Sequence, residues 1–234
     1  VANGVRRLLF GFAAEAEVRA ADVQVGGLAV GFRLLLAGNS RPVRLAVTGR
    51  HNVHNALAAA AAAHAIGIEL EQIVAGLESF RPSRGRMEIS QLADGITVLE
   101  DTYNANPLSM RAALLALDEI GGSGLRLAVL GDMLELGPET ARLHREVGAE
   151  AAGRADYLVL LGNMAGEIAA GARQAGMANE RVQIAASHEA AAAAVRLRLR
   201  AGARVLVKGS RGMKMEKVCT ALREMDSPKA VNHC

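Results

Sequence analysis

Residues 99–107 read Leu-Glu-Asp-Thr-Tyr-Asn-Ala-Asn-Pro. An apolar run from Ile96 to Leu99 enters a cluster of polar side chains. The signals of a helix start follow at once: Asn106 as N-cap, and Pro107 at the first helical position, where a missing N–H costs nothing. A strand that ends in Glu100, Asp101, Tyr103, Asn104 and Asn106 and turns directly into a helix is a ligand-facing junction. In open α/β sheets, ligands sit outside the carboxyl ends of the strands.

The pattern repeats outward from this junction. Hydrophobic periodicity predicts strands over 87–92, 96–99, 125–130, 157–161, 182–185 and 205–207. It predicts helices over 107–120, 139–152, 165–175, 188–200 and 213–225. Repeated strand–helix units imply an α/β fold: a Rossmann-like, mostly parallel sheet with helices on both faces. Upstream, apolar runs over 5–12, 28–36 and 43–47 with a Gly26-Gly27 turn signal read as a meander or sheet edge. An Ala-rich helix over 51–66, ended by Gly67, and a short helix over 69–79 follow. Pro82, Ser83 and Gly85 punctuate the chain at 81–85, so two domains are expected, 1–82 and 83–226, with 227–234 as a tail. Val1 is not a start methionine, and the sequence is expected to begin inside a domain.

Composition narrows the function. The chain has 234 residues, 51% of them apolar, with four Phe, two Tyr and no Trp. Cores built of Ala, Leu, Val and Ile suit helices on a sheet. A net charge of +3 with few aromatics argues against a nucleic-acid surface. The basic cluster Arg196, Arg198, Arg200 and Arg204 reads as the solvated face and end of a helix. Two cysteines, Cys219 and Cys234, make no disulfide framework, so a cytoplasmic setting is expected. No apolar stretch is long enough to span a bilayer, and no signal segment opens the chain.

Four predicted strand–helix junctions fall on one rim: Asp101–Asn106, Gly131–Gly137, Gly162-Asn163 and Lys208–Gly212. Gly162-Asn163 reads as an ordinary turn. Lys208, Ser210 and Arg211 follow an apolar strand and precede a helix, which is a natural anion site. Asp132 and Glu135 read either as a cap and a first-turn acid or as groups facing a cationic substrate. Asn52 and Asn55 share a helix face; Asn52 reads equally as an N-cap or as an amide for an adenine edge. His51 and His54 lack a third ligand, so no metal is assigned. Arg84-Gly85-Arg86 at the boundary reads as a solvated linker or as a hinge that brings an arginine to a phosphate.

Gly49-Arg50-His51-Asn52-Val53-His54-Asn55-Ala56-Leu57-Ala58-Ala59-Ala60 resembles the adenine-contacting helix of the Mur ligases. Glu100–Pro107, Leu130–Gly137 and Val207–Arg211 with Met215-Glu216 resemble one branch of that family. The resemblance covers nearly the whole chain, in order. It implies the last third of a central ATPase domain followed by a complete C-terminal domain. It also implies the reaction of the branch: ATP phosphorylates the terminal carboxylate of UDP-N-acetylmuramoyl-tripeptide, and D-alanyl-D-alanine attacks the acyl phosphate, in peptidoglycan precursor synthesis. Position by position it implies Asn52, Asn55, Arg86, Asp101 and Tyr103 at the nucleotide. Asn104, Asn106, Asp132, Ser210 and Arg211 fall at the substrates, with Arg86 and Lys208 as catalytic candidates.

The chain departs from the family pattern. It contains no Gly-x-x-x-x-Gly-Lys-Ser/Thr, and its only lysines are Lys208, Lys214, Lys217 and Lys229. The phosphate-cradling loop and the Mg2+ ligands are expected in a missing N-terminal segment, the isolated chain is expected to be inactive, and a monomer is expected. Glu100 stands where an aspartate is common. The alternatives are another amide ligase of the superfamily (a tripeptide-stage Mur ligase or a folylpolyglutamate synthase), a dinucleotide-binding module, or a non-catalytic interaction domain. The dinucleotide reading lacks a Gly-x-Gly-x-x-Gly after the first strand of the second half.

Overall fold

The structure is a computed structural model and describes residues 7–226. The chain divides between Pro82 and Ser83 into two compact units.

In the first unit, strands β1 (Phe10–Gly11), β2 (Val18–Gly26), β3 (Ala29–Leu36) and β4 (Asn39–Leu45) lie side by side in that order. β2–β3 and β3–β4 are antiparallel, and β1 runs parallel to β2. The β3–β4 turn places Ala37 and Gly38 at φ 49° and 77°, the backbone a two-residue hairpin demands. Alternate residues Val30, Phe32, Leu34 and Leu36 are buried. Helix α1 (Arg50–Ala65) lays Val53, Ala56, Leu57, Ala60 and Ala61 into this core at helical spacing. Gly67, at φ 84°, follows its end. Helix α2 (Leu70–Ser79) buries only Ile73. Sequence periodicity misses β2. Its register shifts between Ala21 and Gln24, with Asp22 at φ 52°, and this bulge breaks the alternation that would reveal a strand.

The second unit is a six-stranded sheet in the order β5 (Glu88–Gln91), β6 (Thr97–Asp101), β10 (Arg204–Lys208), β7 (Arg126–Gly131), β8 (Tyr157–Leu161), β9 (Val182–Ala185). Only edge strand β5 is antiparallel. Helices α3 (Pro107–Glu119), α4 (Thr140–Ala152) and α5 (Ala165–Gln174) share one core with Leu99, Leu130, Leu158, Leu160 and Leu206. Helices α6 (His188–Arg196) and α7 (Glu216–Asp226) share the other with Val98, Val129, Val159, Val205 and Val207. Strands buried on both faces read as continuous apolar runs, which is why they were legible. Helices α4 and α5 meet without side chains between them: a Cβ on Gly171 would lie 1.9 Å from the Arg145 carbonyl oxygen, and one on Gly148 2.0 Å from that of Ile168.

Two expectations are corrected. Arg204 is not on a solvated helix face. It is buried in β10, and its guanidinium donates to the carbonyls of Ile120 and Gly124, closing the end of α3. Helix α7 starts at Glu216 rather than 213, because Arg211–Met213 forms a 3-10 turn and Lys214 takes a left-handed conformation (φ 51°).

The topology sets the site. The chain steps from β6 to β7, β8 and β9, then returns to insert β10 between β6 and β7. Helix α3 leaves β6 onto one face, and α7 leaves β10 onto the other. Beside the carboxyl ends of β6 and β10 the sheet therefore has its switch point, where open α/β sheets bind ligands.

Candidate functional site

The rim at this switch point is a set of loops tied together by buried polar groups. Lys208 ends β10 with a side chain 1% exposed; its ammonium is ion-paired with Asp101 of β6 and donates to the Asn104 carbonyl at 2.9 Å. Burial pushes the Lys208 pKa down, and the Asp101 charge opposes that shift. The other Asp101 oxygen accepts from the Met87 backbone N–H at 3.1 Å. Ser210 is the second tie: its hydroxyl accepts from Leu134 N–H (2.9 Å) and donates to the Ala105 carbonyl (3.3 Å). Its backbone N–H donates to the Asp132 carbonyl at 3.0 Å. Asp132 is the third tie: its carboxylate accepts from the backbone N–H groups of Asn163 (2.8 Å) and Met164 (3.0 Å) at the start of α5. Met215 packs where side chains on Gly131 and Gly209 would stand, at 2.9 Å and 2.7 Å, so both positions exclude a Cβ.

These contacts separate the expected site residues into two groups. Lys208, Asp101, Asp132 and Ser210 hold the loops to one another. Asn106 is exposed but committed to its own helix: it caps α3 through Ser109 N–H at 2.8 Å, and Ser109 returns the bond. The Asn104 side chain accepts from Ala105 N–H. Tyr103, Arg86 and Arg211 face outward instead. Tyr103 is 44% exposed, with the Arg86 guanidinium 3.9 Å from its ring centroid. Beside Tyr103 lies a cavity of about 350 Å³ lined by Arg84, Gly85, Glu100, Thr102, Tyr103, Arg211 and Glu216.

Glu100 closes the cavity floor. It is buried, accepts from Arg223 at 2.7 Å and from the Thr102 hydroxyl at 3.4 Å. Burial works against the Arg223 charge, but the hydrogen bond and charge of Glu100 outweigh it and hold the Arg223 pKa above its ordinary value. Burial, with Glu100 beside it, pushes the Cys219 thiol well up, so it is an inert core group.

In the first unit, Asn52 and Asn55 lie on a mainly apolar cavity of about 420 Å³ whose walls include Val47, Ala56, Ala60, Ile73 and Phe80. Asn52 donates to the Thr48 carbonyl at 2.8 Å and accepts from Asn55 at 3.4 Å. Helix α1 begins at Arg50 with Gly49 as its N-cap, so Asn52 is not the cap. Among the described residues, no three His, Cys, Asp or Glu side chains form a group able to hold a metal ion. No described helix is long and apolar enough to cross a membrane.

Sequence reasoning missed His144 and Arg223. His144 is fully buried; its Nε2 accepts from Met133 N–H (2.9 Å) while its Nδ1 donates to the Thr140 carbonyl (2.7 Å), fixing the loop after β7. Its signal was present, for His144, Val147, Gly148 and Ala151 form one buried stripe of α4. Arg223 gave none, since its partner is 123 residues away.

Comparison with known proteins agrees with this architecture. The profile described as "Mur ligase, glutamate ligase domain" matches residues 85–211, more than half of the chain. The UDP-N-acetylmuramoyl-tripeptide--D-alanyl-D-alanine ligase of Escherichia coli (strain K12) is 37% identical over 218 residues, covering 91% of this chain and 46% of the relative. A crystal structure of MurF from Acinetobacter baumannii superposes with a TM-score of 0.81 at 32% identity, covering 92% of this chain and 46% of that one. MurF ligase from Thermotoga maritima in complex with ADP gives 0.76 at 20% identity, covering 92% and 48%, and supports the fold alone. The chain thus spans less than half the length of these relatives. With its sheet, its rim and the matched segment taken together, the chain belongs to the Mur ligase family.

Proposed function

We propose that this chain does the work of the C-terminal half of an ATP-dependent amide ligase that joins D-alanyl-D-alanine to UDP-N-acetylmuramoyl-tripeptide in peptidoglycan precursor synthesis. On this reading, residues 1–82 are the last part of the central ATPase domain and residues 83–226 the C-terminal domain, in a cytoplasmic enzyme that draws on ATP. The observation that carries it is the rim: Arg86, Tyr103 and Arg211 face outward at the switch point, over loops tied by Lys208, Asp101 and Ser210.

The residues present fit one end of the nucleotide. A flat base suits the apolar walls beside Asn52 and Asn55, whose amides offer paired donors and acceptors to an adenine edge. They do not fit the triphosphate or Mg2+. The sequence has no phosphate-cradling glycine loop, and the described residues have no metal-binding group. No step is therefore assigned to magnesium within this chain.

Bound ATP would supply the phosphoryl group that activates the tripeptide carboxylate. Arg86, a planar cation stacked on Tyr103, is on this reading the residue that meets phosphate oxygens and the catalytic candidate. Lys208 is a positioning residue, since it reaches only Asp101 and Asn104. Arg211 and the cavity beside it serve the incoming dipeptide. Asp101, with one oxygen on Lys208 and the other on Met87, keeps acceptor capacity for a ribose hydroxyl only beyond those bonds.

A chimera tests this. Replacing the matching part of the E. coli relative with this chain should give a protein that forms the pentapeptide product and releases ADP, whereas the chain alone should release none above background. A folded chimera that binds ATP and makes no amide would sink the reading.

A further inference from the structure

Helix α6 ends on a charged tip that the ligase chemistry does not use. The helix leaves the carboxyl end of β9 through its cap, Ser187, and runs back along the sheet. Its last turn and the connection into β10 therefore lie at the amino ends of the strands, opposite the rim. Tyr157, the first residue of β8, marks that end, and the Arg198 guanidinium stands 3.6 Å from its ring centroid. Arg196, Leu197, Arg198 and Arg200 form the tip. Arg181 joins it from the neighbouring strand, because Leu158 pairs with Val182 and so sets Tyr157 beside Arg181.

The charges of this tip are unanswered. On helices α3 and α4, Arg111, Arg142, Arg145 and Arg154 each pair with a glutamate. Among the described residues, Arg181, Arg196, Arg198 and Arg200 have no carboxylate within ion-pair distance, and Asp156, whose charge Arg181 senses, is bound by Arg126. Glu180, next to Arg181, and Asp94, whose carbonyl accepts from Gly202 N–H, border the tip, so a net positive face remains. Helix-end capping explains part of it. Arg198 donates to the Ala194 carbonyl at 3.1 Å and Arg200 to the Leu199 carbonyl at 2.6 Å, as cations at a helix C-terminus do. Each commits one guanidinium nitrogen and leaves two. Capping does not explain Leu197, which is 74% exposed while Leu199 packs on the core.

We infer that this tip docks on an anionic lipid surface, with Leu197 entering the boundary between headgroups and acyl chains and Arg181, Arg196, Arg198 and Arg200 lying among the lipid phosphates. A leucine ringed by guanidinium groups matches a surface that is anionic outside and apolar just beneath. Guanidinium forks grip phosphate oxygens with paired donors, and their stems cover apolar surface around the leucine. An acidic protein surface would answer the charges but would need a recess shaped for Leu197, whereas a lipid boundary accepts the side chain anywhere. Contact through four arginines and one leucine is weak and reversible. It lies at the opposite end of the second unit from the rim, and it does not depend on the ligase reading.

The test uses the whole chain and vesicles made of equal parts phosphatidylglycerol and phosphatidylcholine. The chain should sediment with them at low salt, stay in solution with phosphatidylcholine alone, and be released by about 0.5 M salt, where screening is short-ranged. Arg196→Gln with Arg200→Gln should weaken partitioning about 30-fold, at roughly fivefold for each arginine near a charged surface. Leu197→Ser should weaken it about fivefold through the lost apolar contact. Arg142→Gln with Arg145→Gln removes the same charge from α4, where both side chains are exposed, and should change partitioning less than about twofold. The chain has no Trp, so Leu197→Trp reports the tip alone, and its emission should shift to the blue on the anionic vesicles. Equal partitioning to both kinds of vesicle, no partitioning, or an equal loss from the two arginine pairs would overturn the inference. Binding with unchanged tryptophan emission would overturn it too, since that is the behaviour of a purely charged contact such as one with an acidic protein.

Discussion

The two units of this chain solve the same packing problem to different degrees. The first buries one side of its strands: along β3, Val30, Phe32, Leu34 and Leu36 are inside, while Arg33 points out. Helix α1 is built of alanines, α2 buries one residue, and a cavity of about 420 Å³ remains open beside them. The second unit buries both sides of its sheet, and every residue of β8 and β10 is inside. The difference teaches where each unit can carry chemistry. A sheet covered on both faces has only its rim to offer, and here the rim is bound by ion pairs and caps. The first unit instead leaves a cavity between its helices and the end of β4, and there α1 presents amides among apolar side chains.

The largest test of that contrast strikes the rim. Lys208→Met removes the cation from a buried pair and leaves Asp101 with one bond, a change that costs ~3–5 kcal/mol in such pairs. Both tyrosines, Tyr103 and Tyr157, lie in the second unit and there is no Trp, so tyrosine fluorescence reports that unit alone while circular dichroism sees both. Urea unfolding by fluorescence should show the loss. If Asp101 acts through this pair, Asp101→Asn should cost a comparable amount, and the double variant far less than the sum. A loss below ~1 kcal/mol for Lys208→Met, the range of exposed pairs, would mean that the pair does not hold the loops.

A smaller effect changes sign between the units. Gly171→Ala drives a methyl group onto the Arg145 carbonyl where α4 meets α5, and overpacking of this kind costs ~1–3 kcal/mol or more. Gly76→Ala, inside α2, meets nothing within 4 Å and should gain ~0.5–1 kcal/mol, since glycine is a poor helix residue. Fluorescence should register the first change and circular dichroism the second. Stabilisation by Gly171→Ala would refute the close approach of the two helices.

The same contrast explains what could be read in advance. The second unit was legible because its strands are continuous apolar runs and its helices carry caps such as Asn106-Pro107. In the first unit the long strand β2 was hidden by the bulge at Asp22. At the rim, residue types announced a site, but not which of them would face outward. Lys208, Asp132 and Ser210 look as ligand-facing in sequence as Arg211 does. Their turn inward follows from partners 31 to 107 residues away, which no local pattern encodes. Arg204 was misread for the same reason: four arginines in nine residues look like one helical face until a strand claims the last.

The smallest expected effect concerns acid. In the second unit the Arg126 guanidinium holds the Asp156 carboxyl below its ordinary range, against the opposing effect of burial. Asp156 accepts from Arg126 backbone N–H at 2.8 Å and from its guanidinium at 2.9 Å. A carboxyl whose folded value is depressed binds protons in the unfolded chain first. Its stabilisation is therefore complete above the ordinary value of 3.8 and is lost as the pH falls through the lower, folded one. The side chain is 32% exposed, so solvent screening limits the contribution to ~1 kcal/mol or less. The first unit's counterpart is Glu71, shifted in the same direction chiefly by its own backbone hydrogen bond and then by Arg41, but with a side chain 66% exposed. Urea unfolding at pH 6, 4 and 3 should show wild type more stable than Asp156→Asn at pH 6, with a narrower gap at pH 3. Glu71→Gln should show a weaker convergence, because solvent screens the exposed pair. A gap for Asp156→Asn that stays constant across this range would mean that the pair acts through packing alone, and the electrostatic difference between the units would disappear with it.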